Sequence, residues 1–288
     1  MKLWVQYLIE YPEFLKTHYN ILRRNNLFID NEIIVCKEHK GIEYIQFRKL
    51  LDFGIKHAYT LKGDNINFRT DSKEEKESFS KIYSAIGLDV NTVVKPLQNH
   101  TSNVICIDRI MSKEELSDID GLITNKPGIG LTTTNADCIL MLIYDPVKKV
   151  IANVHSGWKG TFQKIVEKTV VKMMTNYNCD PKDIYCFVCP SIRRCHFEVD
   201  KDVRNLCEEI FSFTNRTEEF IEKGKLVDGI QKYMIDTVLI NRILLSELGI
   251  KDEHIIDCNI CSVCNSNKIN SYRIEGKDFR LATAIISL

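Results

Sequence analysis

Cysteine and histidine side chains, which are metal ligands in many proteins, stand beside two apolar runs in the middle of the chain. Cys138 directly precedes the apolar run 139–144, and His155 directly follows a second run at 149–154. An Asp-Pro dipeptide between the runs is typical of a tight turn, so we expect two neighbouring strands. Such a pairing brings Cys138 and His155 toward the same end of one sheet, within reach of one ion.

A third residue of the same type, His100, lies upstream. Together with Cys138 and His155 it supplies a set of two imidazoles and one thiolate. Zinc held by three protein ligands keeps an open position and is catalytic, whereas structural zinc sites are closed by four ligands. The open position can activate water or polarise a substrate atom. The alternative is that these are three unrelated residues among 7 histidines and 11 cysteines, because they come from separate segments without a local zinc motif.

Two neighbours of these ligands have roles that the sequence leaves open. Asp137 is a candidate to orient a ligand histidine or to act as an acid or base, and its alternative role is to cap a turn. Trp158 can stack on a planar substrate or pack in the core, which is the more common place for a tryptophan. The glycine at position 157 allows the backbone there to approach a ligand closely.

A second cysteine run lies at Cys258, Cys261 and Cys264. It resembles the start of an iron–sulfur motif, but no fourth Cys-Pro follows. His254 is the residue that can complete a zinc site with the three cysteines. A second C-x₂-C pair, which zinc motifs of this kind usually contain, does not follow, and this argues against a second metal site here.

Composition restricts the class of protein. The 288 residues are 44% apolar, and 39 Lys and Arg balance 39 Asp and Glu. Equal charge argues against a nucleic-acid or membrane-surface binder, which needs a basic excess. No apolar run approaches the roughly 20 residues of a membrane span. The first residues have no signal-peptide pattern, so we predict a cytoplasmic protein.

The elements that must position the candidate ligands alternate between strand and helix patterns. They predict one α/β domain at residues 42–288, preceded by an N-terminal extension at 1–41. The extension contains an amphipathic pattern at 12–24 that predicts a short helix. Further strands are predicted at 42–47, 184–188 and 282–288, and helices at 72–86, 161–177, 203–211 and 235–248.

Many short motifs occur together in the order found in one known family. The chain resembles the laccase-domain family from about residue 42 onward. This family was once called multicopper polyphenol oxidoreductases and is related to peptidoglycan editing factors. The anchors are Gln98-Asn99-His100, Asp120-Gly121-Leu122-Ile123-Thr124, Ala136-Asp137-Cys138, Asp145-Pro146, His155-Ser156-Gly157-Trp158-Lys159-Gly160-Thr161, Pro190-Ser191-Ile192, Asp236 with Asn241, Cys261-Ser262-Val263-Cys264 and Ser271-Tyr272-Arg273. The resemblance implies a single-domain sandwich of mixed β-sheets with helices packed outside, and it implies that His100, Cys138 and His155 bind zinc.

The family's activity supplies the functional expectation. Its members are zinc-dependent purine nucleoside phosphorylases that also deaminate adenosine. The resemblance therefore implies conversion of adenosine, inosine or methylthioadenosine, with phosphate as co-substrate, to a free base and a pentose 1-phosphate. Asp137 and Cys138 are the expected catalytic residues. Lys62, Arg193 and Arg273 are the candidates to hold phosphate, although Lys62 replaces a common family arginine and loses its bidentate geometry.

Three other functions remain open at this point. A Cys/His hydrolase would use Cys138 as nucleophile and His155 as base, and some relatives edit cell-wall precursors. A polyphenol oxidase with four coppers needs many clustered histidines, and the 7 histidines here are scattered. A non-enzymatic zinc-stabilised interaction module would melt when its metal is removed. Copper is a possible competitor for zinc, because copper binds nitrogen and sulfur sites more tightly. The expected partners are a small-molecule nucleoside and phosphate, with no nucleic acid and no membrane.

Overall fold

Two six-stranded sheets form the centre of the fold, and apolar side chains from both sheets pack between them. The computed structural model describes residues 31–288, so the helix predicted at 12–24 lies outside the described residues. The first sheet has the strand order β1-β2-β3-β15-β7-β4, and the second has the order β14-β10-β8-β9-β6-β5. Both sheets are mixed, since β4–β7, β5–β6 and β10–β14 are parallel pairs among antiparallel ones.

The strands of the described residues run in chain order as follows: β1 Ile34–His39, β2 Ile42–Phe47, β3 Lys56–Thr60, β4 Val93–Val94, β5 Val104–Cys106, β6 Gly121–Thr124, β7 Gly130–Asn135, β8 Ile139–Asp145, β9 Val150–Ser156, β10 Tyr185–Val188, β11 Glu198–Val199, β12 Ile221–Val227, β13 Ile230–Ile235, β14 Ile255–Asp257 and β15 Ala282–Ser287. The α-helices of the same residues are α1 Arg48–Asp52, α2 Glu75–Ala85, α3 Trp158–Phe162, α4 Ile165–Tyr177, α5 Lys201–Phe211, α6 Thr217–Phe220, α7 Thr237–Glu247 and α8 Tyr272–Glu275.

Strand β8 shows why the middle of the chain is so apolar. Leu140 and Leu142 point into the core between the two sheets, whereas Met141 and Ile143 point to the other side, where α4 and α7 pack. The sequence of a strand that is covered on both faces is a continuous apolar run, without alternation of apolar and polar residues. Helix α2 covers the outer face of the first sheet in the same way, through Ile82 and its neighbours. The predicted α/β sandwich with helices outside is therefore confirmed.

The predicted elements agree with the structure except at a few ends and at one break. Strands β8 and β9 pair antiparallel, as the two apolar runs predict. The helix predicted at 161–177 is instead two helices, α3 and α4, because Lys164 adopts a left-handed conformation with φ of 60°. The helix predicted at 235–248 starts at Thr237, where the Asp236 side chain accepts a hydrogen bond from the Leu239 N–H at 2.9 Å.

A third, three-stranded sheet with the order β11-β13-β12 has no counterpart among the predicted elements. Its hairpin turns at Asp228 and Gly229, which both have positive φ. An Asp-Gly pair is the sequence signal for such a turn. Strand β12 is largely exposed, and it therefore carries little of the apolar pattern that marks the other strands.

Strand β1 lies within the residues assigned to the N-terminal extension, and it pairs antiparallel with β2 at the edge of the first sheet. The domain division at residue 42 stays a prediction. Among residues 31–288, no helix has both the length and the apolar character needed to cross a membrane.

Candidate metal and substrate site

The pairing of β8 with β9 places two of the candidate ligands side by side. Ile139 lies opposite Ser156, so Cys138, one residue before β8, lies beside the end of β9 where His155 stands. His100 approaches from the loop before β5. The ligand atoms of His100, Cys138 and His155 all lie within 4.8 Å of one another. The structure therefore brings together the three residues that the sequence and the family resemblance indicate.

The buried carboxylate of Asp120 organises this group. Its Oδ1 atom lies 2.7 Å from Nδ1 of His155 and accepts a hydrogen bond from the N–H of His100 at 3.1 Å. Its Oδ2 atom accepts hydrogen bonds from the backbone N–H and the hydroxyl of Thr101, both at 2.7 Å. A carboxylate on the second nitrogen of a ligand histidine fixes the ring and leaves the other nitrogen for a metal. The sequence shows Asp120 only as a family anchor, and its role comes from this geometry.

Two of the ligands, His100 and Cys138, pack closely against Gly157. A Cβ atom at this position would lie 2.7 Å from Cδ2 of His100 and 3.1 Å from Sγ of Cys138. His100 itself has a φ of 57°, which a non-glycine residue adopts only when surrounding contacts hold it there. The two hydrogen bonds from the 100–101 backbone to Asp120 are contacts of this kind.

The group is also electrostatically coupled. Burial alone would raise the pKa of Cys138, but the positive charge of His155 and hydrogen bonds from His100 and His155 outweigh burial and lower it to about 6. Burial would lower the pKa of His155, but the Cys138 thiolate and Asp120 raise it to about 9. At neutral pH the residues therefore favour a thiolate, which is the form of cysteine that binds metals and attacks carbon.

A cavity of about 520 Å³ opens over the three ligands. Its volume lies within the range of roughly 300–1,000 Å³ that is usual for small-molecule sites. The large apolar and aromatic side chains of its wall are Ile139, Trp158, Ile192, Phe197, Tyr272, Phe279 and Leu281. Among the described residues that line this cavity, Arg273 is the one cationic side chain besides histidine. The cavity thus combines flat apolar walls, one cation and three candidate metal ligands. This combination suits a planar ligand that either has an anionic group or binds together with an anion.

The loop that carries Cys138 is fixed from two sides. The Asn135 side chain donates hydrogen bonds to the carbonyl oxygens of Cys138 at 2.5 Å and Pro190 at 3.1 Å. Asp137 has a φ of 81°, and its carboxylate accepts hydrogen bonds from the hydroxyl of Ser262 at 2.5 Å and the N–H of Arg273 at 2.8 Å. Both carboxylate oxygens of Asp137 thus bind other parts of the chain while the residue lines the cavity.

The three candidates for phosphate binding are separated in the structure. Arg273 lines the cavity, and its guanidinium donates to the carbonyl oxygens of His196 at 3.1 Å and Glu198 at 3.3 Å. Lys62 is not brought into the cavity, and it forms an ion pair with Glu275 elsewhere. Arg193 is not brought into it either.

Arg193 instead forms a bidentate ion pair with Asp257, with N–O distances of 2.7 and 2.8 Å. Burial of Arg193 opposes its charge, but Asp257 and Cys258 raise the pKa of this guanidinium. The pair joins the 193–196 turn to the end of β14.

Two cysteines of the second run belong to a cluster that includes neither His254 nor Cys258. His254 stacks on the ring of Tyr185 with centroids 3.8 Å apart, and Cys258 lies beside Arg193. Cys261 and Cys264 instead meet Cys195 and His196, and the ligand atoms of these four residues all lie within 4.8 Å of one another. The zinc site of His254 with the three cysteines, against which the sequence argues, is not formed, because the fold turns His254 and Cys258 away from the other two cysteines.

Comparison with known proteins gives the following relationships. The family model described as multi-copper polyphenol oxidoreductase laccase matches residues 57–287. The purine nucleoside phosphorylase LACC1 of Mus musculus is 30% identical over 243 residues, which are 82% of this chain and 53% of that protein. The purine nucleoside phosphorylase CA_C1699 of Clostridium acetobutylicum is 28% identical over 240 residues, which are 83% of this chain and 94% of that protein. The chain thus spans about half the length of its mammalian relatives.

Solved structures show the same fold. YfiH of Bacillus licheniformis superimposes with a TM-score of 0.77 at 20% identity, over 88% of this chain and 98% of that one. YlmD of Geobacillus stearothermophilus gives a TM-score of 0.72 at 20% identity, over 89% and 99% of the two chains. These similarities agree with the sandwich of mixed sheets described above.

Proposed function

Because the chain belongs to the multi-copper polyphenol oxidoreductase laccase family, in which the relatives compared above are named purine nucleoside phosphorylases, we propose that it is a zinc-dependent purine nucleoside phosphorylase. The observation that carries the proposal is the group of His100, Cys138 and His155 at the base of a cavity with aromatic walls and an arginine. Adenosine, inosine and methylthioadenosine are the proposed nucleosides, with deamination of adenosine as a side activity.

The residues present fit a zinc ion. Two imidazoles and one thiolate are ligands that zinc prefers, and three protein ligands leave a fourth position toward the cavity. The hydrogen bond that Nδ1 of His155 donates to Asp120 is the outer contact that a zinc-bound histidine usually has. Copper binds the same ligand types more tightly, so metal availability decides between the two ions. Bound there, zinc would supply a Lewis acid next to the cavity.

Phosphorolysis requires the chain to hold a purine, a ribose and a phosphate in line. As the bond between ribose and base breaks, negative charge develops on the purine, and stabilisation of that charge lowers the barrier. Trp158, Phe197 and Tyr272 offer flat apolar surface to the base. Arg273 is the proposed phosphate ligand, since carbonyl oxygens accept two of its five N–H donors and, among residues 31–288, no carboxylate forms an ion pair with its guanidinium. This arrangement also pre-orients the guanidinium.

The roles of Asp137 differ between the two proposed reactions. Deamination requires proton transfer near the amino group of adenine, and Asp137 lies in the cavity wall where such a group can reach. Its two oxygens, however, already accept hydrogen bonds from Ser262 and Arg273. This favours Asp137 as a positioning residue that holds the Cys138 loop against Arg273.

Product analysis tests the proposal. Zinc-loaded protein is incubated with adenosine or inosine, with and without phosphate, and the bases are separated by chromatography. We expect free base only with phosphate, and loss of this product in Cys138→Ala but not in Cys106→Ala, a partly exposed cysteine outside the site. Arg273→Lys should raise the KM for phosphate at least about tenfold, because lysine cannot donate bidentately. Full activity of Cys138→Ala would overturn the proposal.

A second candidate function rests on the coupled charges of the same residues. The lowered pKa of Cys138 and the raised pKa of His155 are typical of a cysteine nucleophile paired with a histidine base, as in thiol hydrolases. Such an enzyme, which would edit cell-wall precursors, needs the free thiolate, and it should be activated when a chelator removes zinc. A phosphorylase that depends on zinc should lose activity under the same treatment, so the sign of the chelator effect separates the two functions.

Oxidation of polyphenols is the activity that the family description names. Four coppers need many clustered histidines. In residues 31–288, the groups of three or more side chains that could bind a metal contain three histidines in total. The same preparations, loaded with copper, should therefore show no oxidation of a phenolic dye above that of the free ion.

A further inference from the structure

The second cysteine group has the dimensions of a metal site. The Sγ atom of Cys195 lies 3.6 Å from that of Cys261 and 3.9 Å from that of Cys264. Nδ1 of His196 lies 3.2, 3.7 and 3.5 Å from the sulfur atoms of Cys195, Cys261 and Cys264 respectively. The ligand atoms of Cys261 and Cys264 lie within 4.8 Å of each other, so three thiols and one imidazole occupy the corners of a small tetrahedron.

These edges match a zinc ion at the centre. With Zn–S bonds of about 2.3 Å, a tetrahedron places two sulfur atoms about 3.8 Å apart, and a nitrogen at about 2.0 Å lies about 3.5 Å from each sulfur. A disulfide requires sulfur atoms about 2.05 Å apart, so the observed distances do not describe one. An iron–sulfur cluster would have to fit its own iron and sulfide atoms between the thiols, and these edges leave room for one ion.

The backbone holds the two ligand-bearing segments together independently of any metal. Ser191 pairs with Cys261 as an isolated parallel bridge, and the N–H of Ser262 donates to the carbonyl oxygen of Ser191 at 2.9 Å. A turn closes the C-x₂-C segment, because the N–H of Asn265 donates to the carbonyl oxygen of Cys261 at 3.1 Å. The four side chains therefore converge from segments that are already fixed, which is the condition for a tight structural site.

We propose that Cys195, His196, Cys261 and Cys264 form a second zinc site, of structural type. All four ligands come from the chain, so the site has no open position for a substrate, in contrast to the three-ligand group at Cys138. On binding, each cysteine that is still protonated loses its thiol proton to solvent as its Zn–S bond forms.

The proposed second zinc site lies next to one wall of the cavity. Phe197 follows directly after His196, and the carbonyl oxygen of His196 accepts a hydrogen bond from the guanidinium of Arg273. Both Phe197 and Arg273 line the cavity. A zinc ion at this point would clamp the 190–199 loop to the 258–273 segment, which together form one wall of the cavity. The proposal does not depend on the proposed function, because zinc can be counted without any turnover.

Metal content tests the proposal directly. Protein produced with zinc and passed over a weak chelating resin is analysed by plasma mass spectrometry. We expect about two zinc ions per chain in the wild type, and about one in both Cys264→Ser and Cys138→Ser. Cys258→Ser is the matched control from the same run, and it should keep about two. Cys264→Ser protein that keeps as much zinc as the wild type would overturn the proposal, whether or not the Cys138 group is filled.

Alkylation of the wild-type protein tests the same site without relying on a variant that folds. Cys195 and Cys264 are exposed, so a small electrophile can reach both. Zinc should protect these two cysteines at least about tenfold, and a strong chelator should remove that protection. Mass spectrometry of the peptides gives the rates. Equal alkylation with and without zinc, or a Cys195 disulfide in the untreated protein, would overturn the proposal.

The Cys264→His variant should keep the zinc ion that Cys264→Ser loses, because histidine is also a zinc ligand.

Discussion

Replacement of Gly157 by alanine is the smallest change that should damage the proposed metal site while leaving the fold intact. The new Cβ would lie 2.7 Å from Cδ2 of His100, closer than real Cβ contacts, and an ordinary contact at 3.4 Å requires a relative shift of about 0.7 Å. Sγ of Cys138, at 3.1 Å, must move by at least 0.3 Å. Zinc–ligand distances vary by only about 0.2 Å, so both shifts exceed what the ion tolerates.

The backbone at Gly157 does not itself require glycine. Its φ of −65° and ψ of 170° are extended values that alanine adopts freely. Glycine at this helix start is somewhat better than alanine, so we expect a loss of at most about 1 kcal/mol in the free energy of unfolding. The effect of Gly157→Ala should therefore appear in metal binding, with zinc affinity reduced about 10- to 100-fold, as when an outer contact of a ligand is lost.

Competition with a chromophoric chelator gives the zinc affinity of the Cys138 group, and thermal unfolding of the metal-free protein gives the stability. Gly63→Ala is a suitable control in a loop outside the site, because the side chain nearest to its Cβ would be that of Ile66, at 3.3 Å. This control should bind zinc as the wild type does. Wild-type zinc affinity in Gly157→Ala would refute the reasoning, since it would mean that His100 does not bind the metal in the position described.

Three further predictions follow from the site and the core. Asp120→Asn should lower zinc affinity about 10- to 100-fold in the same competition assay, because His155 loses its charged partner; unchanged affinity would contradict this role. In metal-free protein, alkylation of Cys138 should rise about tenfold per pH unit up to about pH 6 and then level off, because the thiol is protonated below its pKa. Cys258, with a pKa raised to about 12 chiefly by burial, should not react at pH 8, and equal rates would contradict the assignment. Leu142→Ala should reduce the free energy of unfolding by about 2–5 kcal/mol in urea, because the side chain fills the core between the two sheets; a loss below about 1 kcal/mol would show that the sheets pack elsewhere.

The parts of the fold that the sequence predicts are those whose packing leaves a local pattern. Strands β8 and β9 are buried on both faces and appear as apolar runs around an Asp-Pro turn. The break between α3 and α4 leaves no such pattern. Lys164 is neither glycine nor proline, and Phe162 and Ile165 continue the apolar face across it. Tertiary contacts, which a single sequence does not display, set this bend.

The two metal-type groups differ in what the sequence reveals. The resemblance to a family indicates His100, Cys138 and His155, although they come from three segments. In the second group, the C-x₂-C spacing of Cys261 and Cys264 is visible, but the nearest cysteine in sequence, Cys258, is not a member. The other two members of the second group, Cys195 and His196, lie more than 60 residues earlier in the chain. The parallel pairing of β10 with β14 brings them close to Cys261 and Cys264.

The place of β15 in the first sheet has a consequence for how the protein is made. This strand, the last of the described residues, lies between β3 and β7 and pairs antiparallel with both. During synthesis on the ribosome, more than 140 residues, from 136 to 281, are added after β7 before β15, the strand that pairs with both β3 and β7, is made. Until then the sheet is two separate pieces with open strand edges, and such edges pair with other chains. These edges of the nascent polypeptide are therefore open to mispairing until β15 closes the sandwich.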